Sequence, residues 1–337
     1  MNNNEQDILV KPLYTPVFKK ELRIVYMGTP DFAVEPLKRL VENGYNIAGV
    51  ITMPDKPAGR GHKIQFSPVK EYALKQGLTI LQPEKLKDES FITELQALNA
   101  NLQIVVAFRM LPEVVWNMPR LGTFNLHASL LPQYRGAAPI NWAIINGETE
   151  TGVTTFFLTH EIDTGKIIRQ ERVPIAETDN AGLLHDKLMY KGAELVLQTV
   201  EAILKGNVQL KSQAELYQSE TELKPAPKIF KETCRIDFSQ PVIAVHNFIR
   251  GLSPYPAAWM EFAISDEIIP VKIFESQPIH EQHTHAPGTI LTDGKRMLDI
   301  AVADGYIRIK SLQIPGKKRL AVDEFLRGFK IISELVN

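Results

Sequence analysis

Leu22-Arg23-Ile24-Val25-Tyr26-Met27-Gly28-Thr29-Pro30-Asp31 decides how this chain folds. Leu22 to Met27 is a short apolar run of the kind buried inside a sheet, and Gly28 to Asp31 is turn chemistry. Phe32 to Asn43 carries helical periodicity and stops at Gly44, after which Asn46 to Thr52 reads as a second strand. A strand, a helix and a strand in this order predict an α/β fold built on a parallel sheet. The turn after the first strand lacks Gly-x-Gly-x-x-Gly, so the sheet is expected to be Rossmann-like without a nicotinamide site.

Moving outward, Ser67-Pro68 reads as an N-cap and first helical residue for a helix reaching Gln76. Thr79 to Leu81 suits a short strand, and Glu89 to Leu98 another helix. Leu102 to Ala107 is so continuously apolar that it belongs at the centre of the sheet. Phe108-Arg109-Met110-Leu111-Pro112 then emerges at that strand's carboxyl end, where open α/β sheets hold their ligands. Between Met53 and Ser67 the chain is rich in Pro, Gly and cations. It reads as a long irregular loop, either a solvated connection or a lid whose Lys56, Arg60 and Lys63 meet phosphates.

Gly122 to Leu126 is a further strand, and the two-residue period of a strand sends Asn125 and His127 to one face. An amide can donate to a developing oxyanion while an imidazole moves a proton near neutral pH, a pairing suited to acyl transfer to an amine. Taken alone, Asn-x-His is a weak signal, and a lone histidine beside a strand is more often structural or surface-exposed. Ser129-Leu130-Leu131-Pro132 follows as a shaped loop, then a helix over Pro139 to Ile145 and strands over Gly152 to Leu158 and Ile167 to Val173. Asp163, in the turn between those strands, is by its own residues either a turn former or a catalytic carboxylate. Thr178 can cap a long helix from Ala181 to Leu204, which ends at Gly206.

Polar residues 207–227 read as a linker. Beyond them come a helix entered through Pro241 and several short strands, near Ala258 to Phe262, Val271 to Glu275, Gly288 to Thr292, Met297 to Ala301 and Tyr306 to Leu312. Their spacing predicts a small β-barrel. The expected organisation is an extension over 1–21, a catalytic α/β domain over 22–206, the linker, and a barrel domain over 228–337.

Composition sets the outer bounds. The chain has 337 residues, 44% of them hydrophobic, which is enough for two cores. A net charge of −1 confines any nucleic-acid contact to local patches. The one cysteine, Cys234, excludes an internal disulfide and fits a reducing compartment. No apolar run is long enough to cross a bilayer and no signal-peptide pattern opens the chain, so no membrane partner and a cytoplasmic location are expected. His280, His283 and His285 lie in a polar loop without acidic or thiol partners, and no metal site is expected there.

The stretch Asn125-Leu126-His127-Ala128-Ser129-Leu130-Leu131-Pro132 with Arg135-Gly136-Ala137-Ala138-Pro139 resembles the signature of the folate-dependent formyltransferases. Arg250-Gly251-Leu252-Ser253-Pro254-Tyr255-Pro256 and Leu312-Gln313-Ile314-Pro315-Gly316-Lys317-Lys318 resemble the family members that formylate methionine carried on initiator tRNA. The likeness covers nearly everything after residue 21. It implies 10-formyltetrahydrofolate as formyl donor, initiator methionyl-tRNA as acceptor, and no metal. It further implies Asn125, His127 and Asp163 as catalytic residues, Asp163 standing in the Asp-Thr-Gly that the family uses.

By the same resemblance, Phe108, Arg109, Met110, Ser129, Leu130, Leu131 and Pro132 belong to the folate pocket, with Arg109 standing where a small residue is usual. The barrel is implied to be OB-like, and Lys56, Arg60, Lys63, Lys317 and Lys318 to meet tRNA. A formyltransferase for a small amine and a non-catalytic tRNA-binding protein are the rival readings. The loop at Pro57-Ala58-Gly59-Arg60-Gly61 with the barrel speaks against the first, and the Asn125, His127, Asp163 set against the second.

Overall fold

The computed structural model describes residues 17–58, 63–264 and 267–331, and most of the expected extension, together with Arg60, lies outside them. In chain order the first elements are β1 (Arg23–Gly28), α1 (Val34–Glu42), β2 (Asn46–Ile51), β3 (Lys56–Ala58), β4 (Lys63–Gln65), α2 (Pro68–Lys75), β5 (Ile80–Leu81) and α3 (Glu89–Ala97). They are followed by β6 (Leu102–Val106), α4 (Glu113–Trp116), β7 (Thr123–His127), α5 (Pro139–Ile145), β8 (Glu150–Phe157), β9 (Ile167–Pro174) and α6 (Ala181–Leu204). The described residues form two compact units, the first built from 17–58, 63–135, 152–173 and 186–224, the second from 136–151, 174–185, 225–264 and 267–331.

The first unit contains a sheet ordered β5-β2-β1-β6-β7-β8-β9, with β6 in the middle as its fully buried sequence requires. The five strands from β5 to β7 are parallel. β8 runs antiparallel to β7, so the sheet is Rossmann-like through β7 and mixed beyond it. The chain order reverses between β1 and β6, the crevice where such sheets bind ligands. Gly28 ends β1 at this reversal, and a Cβ there would lie 2.6 Å from the Cβ of Ala33. Only glycine allows the chain to turn so tightly into the next helix.

Local chemistry accounts for the helix ends. Ser67 caps α2 as expected, its hydroxyl accepting from the Lys70 N–H at 3.1 Å. The long helix α6 is capped not by Thr178 but by Asn180, whose Oδ1 accepts from the Leu183 N–H at 2.9 Å. A cap must sit directly before the first helical residue to reach the third amide, and Thr178 lies too far back.

The loop between Met53 and Ser67 is not wholly irregular: β3 and β4 form an antiparallel ribbon with Lys56 opposite Gln65 and Ala58 opposite Lys63. A two-stranded ribbon has free edges on both sides, so Pro57 is tolerated within it. At its base the Lys70 ammonium donates to Asp55 at 2.5 Å and to Gln82 at 2.7 Å. Gln82 in turn donates to Asp55 and to the Met53 carbonyl. The hydrogen bonds from Lys70 first, then Gln82, hold the Asp55 carboxyl below the usual carboxylate range.

The second unit continues with α7 (Val242–Leu252), β10 (Ala258–Ile264), β11 (Glu267–Ile279), β12 (Ile290–Thr292), β13 (Leu298–Val302), β14 (Gly305–Gln313), β15 (Leu320–Ala321) and α8 (Val322–Gly328). Its antiparallel sheet is ordered β10-β11-β14-β13-β12, with β15 added to β14, and forms an OB-like half-barrel. Register shifts near Glu275 mark bulges in β11, the usual device for bending a long strand. The barrel encloses Phe262, Ile273, Ile300 and Ile309, and the terminal helix α8, unread in the sequence, covers them with Phe325. Asn141 of α5 donates to the Gly251 carbonyl of α7 at 2.8 Å, and Gly251 is needed there because a Cβ would meet Ile145 at 2.6 Å.

Candidate active site

β7 delivers Asn125 and His127 from the carboxyl half of a strand beside the central one. His127 is 7% exposed, and its Nε2 lies 2.8 Å from the backbone oxygen of Tyr134. A carbonyl only accepts, so Nε2 carries the hydrogen of the neutral ring and Nδ1 presents the lone pair. Nδ1 lies 3.9 Å from Oδ2 of Asp163. The side chain of Asn125 is half-buried and has no hydrogen-bond partner among the described residues.

Asp163 reaches His127 because the turn after β8 folds back. The β8 residue Phe157 pairs with Phe124 at the start of β7, yet Asp163, six residues later, faces the end of that strand. Two features shape the turn. Asp163 takes a left-handed φ of 57°, which aspartate tolerates better than most residues, and a Cβ on Gly165 would lie 1.7 Å from the Phe157 oxygen. Thr164 donates to the Glu161 carbonyl between them. His160 turns elsewhere, its Nε2 lying 3.7 Å from Glu113 and its ring edge-on to Trp116.

The loop after β7 is fastened from within. The Ser129 hydroxyl donates to the Gln133 carbonyl at 2.6 Å, and the Leu131 carbonyl accepts from Gln170. Leu131 packs against Phe156 and Ile167, and Ser129 is fully buried. Leu130 is half-buried and Pro132 buried. At the end of β6, Met110 is 70% exposed, whereas Arg109 spends its guanidinium on the backbone oxygens of Pro83 and Glu84. Arg109 and Met110, with Lys85, Lys87 and Leu111, line a cleft of about 640 Å³.

In the second unit, Lys317 and Lys318 are exposed beyond a turn pinned by Gln313, which donates to the Lys317 carbonyl at 2.6 Å. Arg308 and Arg319 are not free cations: each is paired with a carboxylate, Asp299 and Glu275 respectively. A separate cleft of about 740 Å³ is lined by Lys228, Lys231, Lys272, Tyr255 and Trp259 among others. His283 rests on Tyr306 with ring centres 4.4 Å apart and reaches the Gly305 carbonyl.

Sequence reasoning missed the Tyr134 carbonyl as the partner of His127, since backbone acceptors have no residue signature. It also missed Gln213, which stands 2% exposed inside a polar stretch read as a linker.

A buried imidazole beside a turn carboxylate on a Rossmann-like sheet is machinery for group transfer to a nucleophile. A family model described as Formyl transferase matches residues 22–200, and one described as Formyl transferase, C-terminal domain, matches 228–330. The chain belongs to the formyl transferase family and is an enzyme of one-carbon group transfer. Among its relatives, the methionyl-tRNA formyltransferase of Bacteroides fragilis is 68% identical over 314 residues, covering 93% of this chain and 97% of that one. The methionyl-tRNA formyltransferase of Flavobacterium johnsoniae is 54% identical, covering 94% and 98%. The fold is shared with the sugar 3N-formyl transferase WlaRD, at a TM-score of 0.61 and 19% identity over 88% of this chain and 99% of that one. It is shared also with HypX from Aquifex aeolicus in complex with tetrahydrofolic acid, at 0.61 and 20% over 91% and 48%.

Proposed function

We propose that this protein transfers the formyl group of 10-formyltetrahydrofolate to the amino group of methionine carried on initiator tRNA, giving N-formylmethionyl-tRNA for translation initiation in the cytoplasm. The observation that carries the chemistry is His127 Nδ1 facing Asp163 at 3.9 Å, on the strand that also holds the half-buried amide of Asn125. The acceptor is supported by two methionyl-tRNA formyltransferases that match nearly end to end.

The bound folate supplies the formyl carbon and departs as tetrahydrofolate. Asn125 Nδ2 donates to the formyl oxygen as it gains negative charge. His127 Nδ1 takes a proton from the attacking amine as its nitrogen bonds to the formyl carbon. Asp163 lies next to the nitrogen that gains the proton and stabilises the resulting imidazolium, while Tyr134 holds the opposite edge. This differs from a serine-protease triad, where the carboxylate sits behind the working nitrogen. The bond from the formyl carbon to the folate nitrogen then breaks, and that nitrogen is protonated.

The residues present fit a folate. A cleft of about 640 Å³ is of ligand size, with Met110 exposed for a ring face and Lys85 and Lys87 for carboxylates. On this reading Phe108, Arg109, Met110 and Leu130 flank the donor, and Ser129, Leu131 and Pro132 set the loop's shape. Lys56, Arg60, Lys63, Lys317 and Lys318 meet tRNA phosphates. The lysine-lined cleft with Tyr255 and Trp259 suits an RNA end, because cations track phosphates and aromatic faces stack bases.

The proposal assigns 22–206 to formyl transfer, 228–337 to tRNA contact and 207–227 to the connection between them, whose Gln213 is fastened to the first unit. Purified protein incubated with labelled 10-formyltetrahydrofolate should label charged initiator tRNA in preference to charged elongator tRNA. Label on small amines alone would overturn the assignment.

A further inference from the structure

Gln213 occupies a position that no catalytic role requires and no surface role explains. It is 2% exposed in a polar stretch, and both protons of its side-chain amide are used. Nε2 donates to the backbone oxygens of Asp163 and Gly165, each at 2.8 Å. Oε1 accepts twice from Arg135, from Nε at 3.0 Å and from Nη2 at 2.6 Å. The amide orientation is therefore unambiguous, since the guanidinium has only donors and the two carbonyls are only acceptors. Two residues upstream, Lys211 exchanges backbone hydrogen bonds with Ile167 at 2.9 and 3.0 Å, which anchors Gln213 against the start of β9.

The two carbonyls flank Thr164, so one side chain clamps the turn on both sides of its tip. That turn holds Asp163 in a left-handed conformation, which needs surrounding contacts to persist. Arg135 adds a second connection, because it follows Tyr134, whose carbonyl fixes His127. The same short network thus reaches the carboxylate through Gln213 and the imidazole through the loop after β7.

We propose that Gln213, braced by Arg135, is a positioning residue that sets the distance between Asp163 and His127. The inference rests on the reading of Asp163 as the carboxylate that stabilises protonated His127. Gln213→Glu keeps the size and the contact with Arg135 but removes both donors, setting a carboxylate against two carbonyls.

The test measures kcat, both KM values and thermal midpoint for full-length Gln213→Glu, Asp163→Asn and the double variant. Gln213→Glu should lower kcat by about 10- to 100-fold, the scale of a roughly 1 Å misplacement, with little change in either KM. In the Asp163→Asn background it should lower kcat no further. Full activity of Gln213→Glu beside a crippled Asp163→Asn would overturn the proposal, as would losses that multiply in the double variant. A silent Asp163→Asn would instead sink the reading of Asp163 itself, and the inference with it. Should Gln213→Glu not fold, Arg135→Met removes the brace from outside the buried site. It should likewise cut kcat alone, and only when Asp163 is intact; a loss confined to KM would refute the role.

Discussion

His127 directs its Nδ1 at Asp163, 3.9 Å from Oδ2, while its other nitrogen is held by the carbonyl of Tyr134. The carboxylate and the working nitrogen therefore share one side of the ring. A proton arriving at Nδ1 lands beside a negative charge, and the ring has no second free nitrogen through which to pass it on.

Asp163→Asn keeps the side chain's shape and removes its charge. Turnover should fall by about three to four orders of magnitude, the scale seen when a triad carboxylate is neutralised. Affinity for folate and tRNA should change far less. A turn aspartate of no catalytic use would cost only about 1 kcal/mol of stability. Turnover, binding and thermal midpoint measured on one preparation separate these outcomes.

Asn125→Ala removes the donor assigned to the formyl oxygen. The half-buried amide has no protein partner to lose among the described residues, so stability should hold. Turnover should drop by roughly 10²- to 10³-fold with KM little altered, as for loss of one oxyanion donor. An Asn125→Ala variant with normal turnover would remove Asn125 from the mechanism.

Arg60→Ala and the pair Lys317→Ala, Lys318→Ala should each weaken use of charged tRNA and leave folate binding intact. Each lost phosphate contact should also flatten the dependence of log affinity on log salt by about 0.7 to 0.9. Affinity titrations at several salt concentrations test this, and an unchanged slope would rule the residue out as a phosphate contact.

His246 on α7 gives the barrel unit a pH dependence of known sign. Burial first, and the nearby Arg250 guanidinium second, push its imidazole down to about 4. In the neutral ring Nδ1 is paired with the Ser276 hydroxyl at 2.9 Å. Between about 6.5 and 4 the unfolded chain binds a proton at this residue that the folded chain refuses, so stability falls as pH drops through that window. His246→Gln keeps a polar group and should flatten this part of the curve in denaturant titrations from pH 7 to pH 4. An unaltered curve would show that another group governs the acid limb.

Much of this architecture is written locally. The helix over Pro139–Ile145 and the span of Ala181–Leu204 follow from periodicity and end signals, and the shared face of Asn125 and His127 follows from the two-residue period of a strand. The central place of β6 follows from five consecutive buried residues. Local patterning also fails in instructive places. Asn180 outcompetes Thr178 as a cap because only it stands one residue from the helix, and β3 pairs with β4 despite Pro57 because a ribbon leaves edges free.

Pairing across distance was decided by the tertiary structure alone. That β8 runs against β7, that the Asp163 turn folds back to His127, and that Gln213 closes on that turn all depend on how remote segments register. The Tyr134 oxygen that selects the imidazole tautomer belongs to the backbone, which every residue carries alike. Side-chain pattern records which face a residue turns toward the core; it holds no record of which distant carbonyl will be waiting there.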